Sequence, residues 1–208
     1  MSTLKLTGSS SGSTSLQAPA SGSDRTITFP DNAGTVLTNA STGCILQVQE
    51  NANKTSISTV TMADKDVWFD VTDLNASITP SSTSNKILIS FMGFGEGSRA
   101  DHLYRWRIKK TISSSDSYIT AADSGNRVGC MGMVTTSYHA DDSVGTPTIW
   151  GCSNYPDSPS TTSAITYTIQ INCPYDTTTW ITNRSYSTTD TNSFEIGMSY
   201  MTLMEVAG

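Results

Sequence analysis

The amino-acid sequence predicts an all-β fold: a jelly-roll-like antiparallel β-sandwich head with an extended N-terminal arm of short strands. Three observations lead there. Ile165, Tyr167, Ile169, Ile171 and Cys173 alternate strictly with Thr166, Thr168, Gln170 and Asn172, the period-2 signature of a half-buried strand. Residues 86–94 hold an almost continuous apolar run, ILISFMGF, which suits a strand covered on both faces. Nowhere do apolar residues recur at helical spacing over three turns.

From the N-terminus, residues 1–24 are low in complexity and include the tract GSSSGSTS at Gly8 to Ser15. Short apolar groups punctuate the first forty residues: Leu4 and Leu6, Leu16, Ile27 and Phe29, then Val36 and Leu37. Pro19, Gly22, Pro30, Asn32 and Gly34 separate them, so each group reads as a strand of a few residues. Strands this short bury no core of their own and must lie on something, either their own copies or a neighbouring protein. Residues 1–43 are therefore an arm and residues 44–208 a compact head. In the head, Ile45 and Val48 begin the strand pattern and residues 67–78 continue it. Near the C-terminus Ile196, Met198, Tyr200, Thr202, Met204 and Val206 alternate, while Met201 and Leu203 make the other face apolar as well. A strand apolar on both faces points to a sheet interior on one side and a subunit interface on the other. Met198, Tyr200, Met201, Leu203 and Met204 are the candidate interface residues.

Composition agrees with strands and narrows function. Serine and threonine make up about a third of the chain, far above ordinary usage, and threonine suits a pleated surface. A net charge of −6 argues against a protein that binds nucleic acid through phosphate contacts. The four cysteines, Cys44, Cys130, Cys152 and Cys173, are widely spaced without a C-x-x-C pair, which is neither a zinc nor a thioredoxin spacing. No charged, cleavable leader opens the sequence and no apolar run reaches membrane-spanning length. The expectation is synthesis in a reducing cytoplasm, with free thiols and no membrane insertion.

Catalytic patterns are missing. The two histidines, His102 and His139, have Asp101, Asp141 and Asp142 nearby, but no G-x-S-x-G or H-E-x-x-H motif accompanies them. The glycines of GFGEG, Gly93 to Gly97, follow a strand without a helix behind them, so they read as a bend or hairpin rather than a phosphate cradle. No cofactor or metal is expected. The most distinctive local stretch is RADHLYRWRIKK, Arg99 to Lys110. In an extended strand His102, Tyr104, Trp106 and Ile108 share one face, and Leu103, Arg105, Arg107 and Lys109 the other. Either Tyr104 and Trp106 are core and the cations a wet row, or Arg105, Arg107, Lys109, Tyr104 and Trp106 contact an acidic partner or a glycan.

Several stretches resemble a domain found at the C-termini of bacteriophage tail-fibre proteins and in related capsid decoration (cement) proteins. They are SITPSSTSNKILIS (Ser77 to Ser90), DSPSTTSAITYTIQI (Asp157 to Ile171), the triplet Asn183-Arg184-Ser185 and the closing TLMEVAG. The arm segment LQAPASGSDRTITFPDNAGTVLT, Leu16 to Thr38, is similar to one that commonly precedes fibre domains. The resemblance implies a homotrimer with a tumour-necrosis-factor-like jelly-roll head, made in the bacterial host cytoplasm and carried on the outer surface of the virion. Where that family usually has an Arg-Asp-Gly-Thr hairpin, this chain has Arg107 to Thr111 without the glycine or the acid. The expected role is a cement protein whose arm lies on the phage major capsid protein. The alternative is a short fibre tip on a tail adaptor, binding a host surface glycan through loops such as Thr135 to Asp142 and Tyr155 to Thr162.

Overall fold

The structure, a computed structural model, describes residues 3–7, 10, 12–17, 41–51, 53–99, 103–135, 147–188 and 195–208. The chain divides into two compact units, Met1–Val36 and Leu37–Gly208. In the first, β1 (Thr3–Thr7) and β2 (Ser13–Gln17) pair as an antiparallel hairpin with Leu4 opposite Leu16. The remaining apolar groups of the arm, Ile27 and Phe29 to Val36 and Leu37, lie outside the described residues, as do Asp101, His102, His139, Asp141 and Asp142.

The second unit contains β3 (Ile45–Glu50), β4 (Ser58–Met62), β5 (Phe69–Ile78), β6 (Lys86–Gly97), β7 (Leu103–Ile112) and β8 (Ser115–Ile119). It continues with β9 (Gly132–Thr135), β10 (Thr148–Asp157), β11 (Ile165–Asn172), β12 (Thr178–Thr182) and β13 (Tyr200–Val206). All pairings are antiparallel. The long strand β6 pairs with β10 along one edge and with β13 and then β12 along the other; β3 extends β13 and β4 extends β12. The second sheet runs β5-β11-β7-β8, and β9 also pairs with β7. Numbered among themselves, the eight strands β3, β5, β6, β7, β8, β10, β11 and β13 stand in the orders 1-8-3-6 and 2-7-4-5. That is a jelly roll, with β4, β9 and β12 added.

The core lies between the sheets. Ile87, Ile89, Phe91, Met201, Leu203 and Trp180 from the first sheet meet Val71, Leu74, Tyr104, Trp106, Ile108 and the isoleucines of β11 from the second. Strand β11 departs from the half-buried expectation, because Thr168, Gln170 and Asn172 on its polar face are buried too. It is a central strand, and long polar side chains from β5 and β7 cover that face.

The GFGEG run is neither bend nor hairpin. Gly93, Gly95 and Gly97 occupy successive inward positions of β6, where an added Cβ would meet the rings of Trp150, Trp180 and Tyr104 within 3.0 Å. The glycines thus make room for an aromatic cluster that closes one part of the sandwich. Trp150 and Trp180 meet edge to face at 5.6 Å and Phe91 meets Trp106 at 4.9 Å. Nor do Arg107 to Thr111 form a turn: they continue β7, and the chain reverses at Ser113-Ser114, both at positive φ (48° and 66°).

The Asn183-Arg184-Ser185 triplet is a structural joint. Buried Asn183, at φ 69°, donates to the carbonyls of Lys54 and Ser56 and accepts from Ser199 Oγ, tying together three stretches distant in sequence. Arg184 donates to the carbonyls of Ser185, Tyr186 and Ser187. Every buried polar atom so bonded escapes the desolvation penalty, which explains the triplet without any ligand.

Candidate functional site

The outer faces of the two sheets differ chemically, and the predicted site residues fall on both. On β7 strand parity places Arg105, Arg107 and Lys109 outward and Tyr104, Trp106 and Ile108 inward. Tyr104 and Trp106 are core residues, so the aromatic half of the expected contact face is unavailable to a partner at that surface. Burial pushes the Tyr104 hydroxyl up to about 12, although it accepts a hydrogen bond from the Arg99 amide. Trp106 also borders a shallow cleft of about 510 Å³ between β9 and β10, with Val134, Ile149 and Trp150.

The cation row is built by cross-strand register. Arg105 lies opposite Asn172 and donates to it at 2.9 Å and to Asp66 at 2.8 Å. Arg107 lies opposite Gln170 and donates from Nε at 2.8 Å; Gln170 in turn lies opposite Asp70 and donates to it at 2.7 Å. Lys109 reaches the other oxygen of Asp70 at 2.5 Å. Arg105 and Lys109 are thus ion-paired within the chain. Arg107 is held differently, its guanidinium lying 4.3 Å from the centre of the Trp68 ring and 3.7 Å from that of Tyr118. Sequence reasoning overlooks both rings, since Trp68 precedes β5 and Tyr118 sits on β8.

The outer face of the β3-β13-β6-β10 sheet carries three apolar rows, with a polar row of Glu50, Thr202 and Ser90 between the first and the second. Val48, Met204 and Leu88 stand in one cross-strand row, Tyr200 and Met92 in a second, Phe94 and Ile149 in a third. Val48 is 50% exposed, Tyr200 38% and Ile149 65%; Met198 is exposed beside them. The five candidate interface residues therefore divide. Met198, Tyr200 and Met204 face outward, whereas Met201 and Leu203 are 0% exposed. Those two fill this chain's own core, because successive residues of a strand point to opposite faces, and the interface expectation does not extend to them.

All four cysteines are free, and burial pushes the Cys152 thiol up to about 11. Among the described residues no group of three or more His, Cys, Asp or Glu side chains could hold a metal.

Fold and surfaces together define a jelly-roll module with exposed apolar rows on one outer face and an ion-paired row on the other. No protein-family model matches the chain, and no curated protein matches it in sequence. Among solved structures it is similar to infectious bursal disease virus strain Gt, with TM-score 0.40 and 13% identity over 98% of this chain and 46% of that one. A structure of strain Gx gives TM-score 0.36 and 10% identity over 98% of this chain and 50% of the other. The chain spans about half the length of these matched chains.

Proposed function

We propose that this chain is a non-enzymatic structural subunit on the outer surface of a bacteriophage particle, a homotrimeric capsid decoration protein. The observation that carries the reading is the set of apolar rows on the outer face of the β3-β13-β6-β10 sheet. Exposed apolar rows bordered by polar residues mark interaction surfaces, and obligate interfaces resemble a core cut in half. Three copies meeting through this face would cover Val48, Tyr200, Met204 and Ile149 and leave the ion-paired sheet outward. The assignment to a phage rests on the resemblance of the Ser77–Ser90, Asp157–Ile171 and arm segments to fibre-type domains. In this role the arm binds the major capsid protein, and three linked arms give avidity without one large interface. A second reading, a short tail-fibre tip, is favoured by the Arg107 arrangement.

Light scattering of the full chain should give three times 22.2 kDa. Met204→Asp should release a folded monomer, whereas Met201→Asp should unfold the head because it places a charge in the core. A wild-type chain that stays monomeric at micromolar concentration contradicts the trimer. Particles lacking the protein should adsorb to cells but lose their genome at lower temperature, since a ligand of the assembled shell stabilises it by mass action. Sound particles that fail to adsorb would assign the chain to a fibre instead.

A further inference from the structure

We propose that Arg107, clamped between Trp68 and Tyr118, is a receptor for the carboxylate of an acidic sugar on the outer face of the β5-β11-β7-β8 sheet. Three features distinguish it from the cations beside it. Arg105 and Lys109 are each ion-paired, to Asp66 and Asp70, while the only hydrogen bond from Arg107 to a described residue runs from Nε to Gln170. Its two terminal nitrogens carry none among the described residues. The guanidinium is also immobilised before any ligand arrives, by a ring on each side and by Gln170, which Asp70 holds in turn.

A planar, pre-oriented fork whose terminal groups bond no described residue suits bidentate pairing with a carboxylate, and pre-organisation lowers the entropic cost of binding. Burial between the rings pulls the Arg107 pKa below its usual value, while Tyr118, Asp123 and Asp70 favour the charged form. An arginine so placed remains cationic.

The surroundings select the ligand. The neighbouring cations are neutralised and the chain carries −6 overall, so nucleic acid or a polyanion gains little long-range attraction. Affinity must come from the fork and from what lies beside it. Tyr118 is 47% exposed, so beside the fork it offers apolar contact to a pyranose ring. A sugar acid offers both groups within one residue, and an isolated Asp or Glu side chain offers only the first.

The test is a titration of the ¹⁵N-labelled full chain with methyl glucuronoside, its neutral methyl ester and methyl glucoside, following the Trp68 indole and Arg107 Nε–H signals. The uronoside should shift both saturably and bind at least roughly tenfold more tightly than the ester. Arg107→Lys, which keeps the charge and loses the fork, should lose roughly tenfold in affinity, and Lys86→Gln on the other sheet should lose nothing. Tyr118→Ala removes an exposed ring without opening the core and should weaken the uronoside more than free acetate. Equal binding of acid and ester, wild-type affinity in Arg107→Lys, or no saturable shift up to about 100 mM would overturn the proposal. So would an acidic peptide that shifts these signals where the uronoside does not, which would assign the fork to a protein partner.

Discussion

Glu205 lies in β13 with no solvent exposure, and its carboxylate accepts hydrogen bonds from four neutral donors. They are Gln47 Nε2 and Asn85 Nδ2 at 2.6 Å each, and the amide and hydroxyl of Ser81 at 2.6 and 2.8 Å. Burial alone would raise its pKa, but the hydrogen bonds from Gln47, Asn85 and Ser81 outweigh it and hold the group below the usual carboxylate range. With the folded pKa depressed, the resulting stability is present above the unfolded value of about 4.3 and is lost as pH falls through the folded value. Glu205→Gln replaces one acceptor oxygen with a donor facing donors, and should cost about 1–3 kcal/mol at pH 7. Denaturant titrations at several pH values should show the gap between variant and wild type closing in acid. A gap independent of pH would mean that the carboxylate's charge is irrelevant there.

At the scale of single elements, the β7-β8 hairpin is where sequence and geometry agree least. Its two turn residues, Ser113 and Ser114, both occupy the left-handed region, as a type I′ turn requires, yet serine is not a residue that favours it. Replacing them with Asn-Gly should stabilise the head by about 1 kcal/mol, read as a raised denaturation midpoint with an unchanged slope. The same mismatch hides the Arg107 site from sequence reading. Tyr118 is opposite Lys109 only because the chain reverses at Ser113-Ser114, and a Ser-Ser pair gives no turn signal. By contrast β11 and β13 are legible, since Ile165 to Cys173 alternate strictly and Met198 to Val206 are apolar on both faces. Which face of β13 is core is less legible. Met201 and Leu203 look no different from Met204 until β6 and the sheet opposite are in place. The inward carboxylate of Glu205 is likewise invisible locally, because its donors come from residues 47, 81 and 85.

Across the whole head, the jelly-roll order brings residues far apart in the chain into two sheets of unlike surface. The inter-sheet contacts include a mostly buried pair, Lys110 with Asp157 at 3.0 Å, to which Tyr167 donates at 2.7 Å. Tyr167 has its pKa raised by burial and by the adjoining carboxylate, so it remains a donor at any ordinary pH. An all-β sandwich was predictable from period-2 patterning and the absence of helical spacing, but its strand order was not. The division of labour between faces was not, because it depends on which strands become neighbours.

One consequence of the unlike faces concerns the ionic composition of the medium. Excluded salts such as sulfate strengthen apolar burial, whereas added ions screen charge pairing at exposed sites. Raising ammonium sulfate should therefore drive head-to-head association through the Val48, Met204 and Ile149 surface while weakening uronoside capture at Arg107. Sedimentation and the Trp68 signal, recorded on the same samples, should move in opposite directions as salt increases. The two sheets would then respond in opposite senses to one variable, so association and anion capture would be favoured in different media.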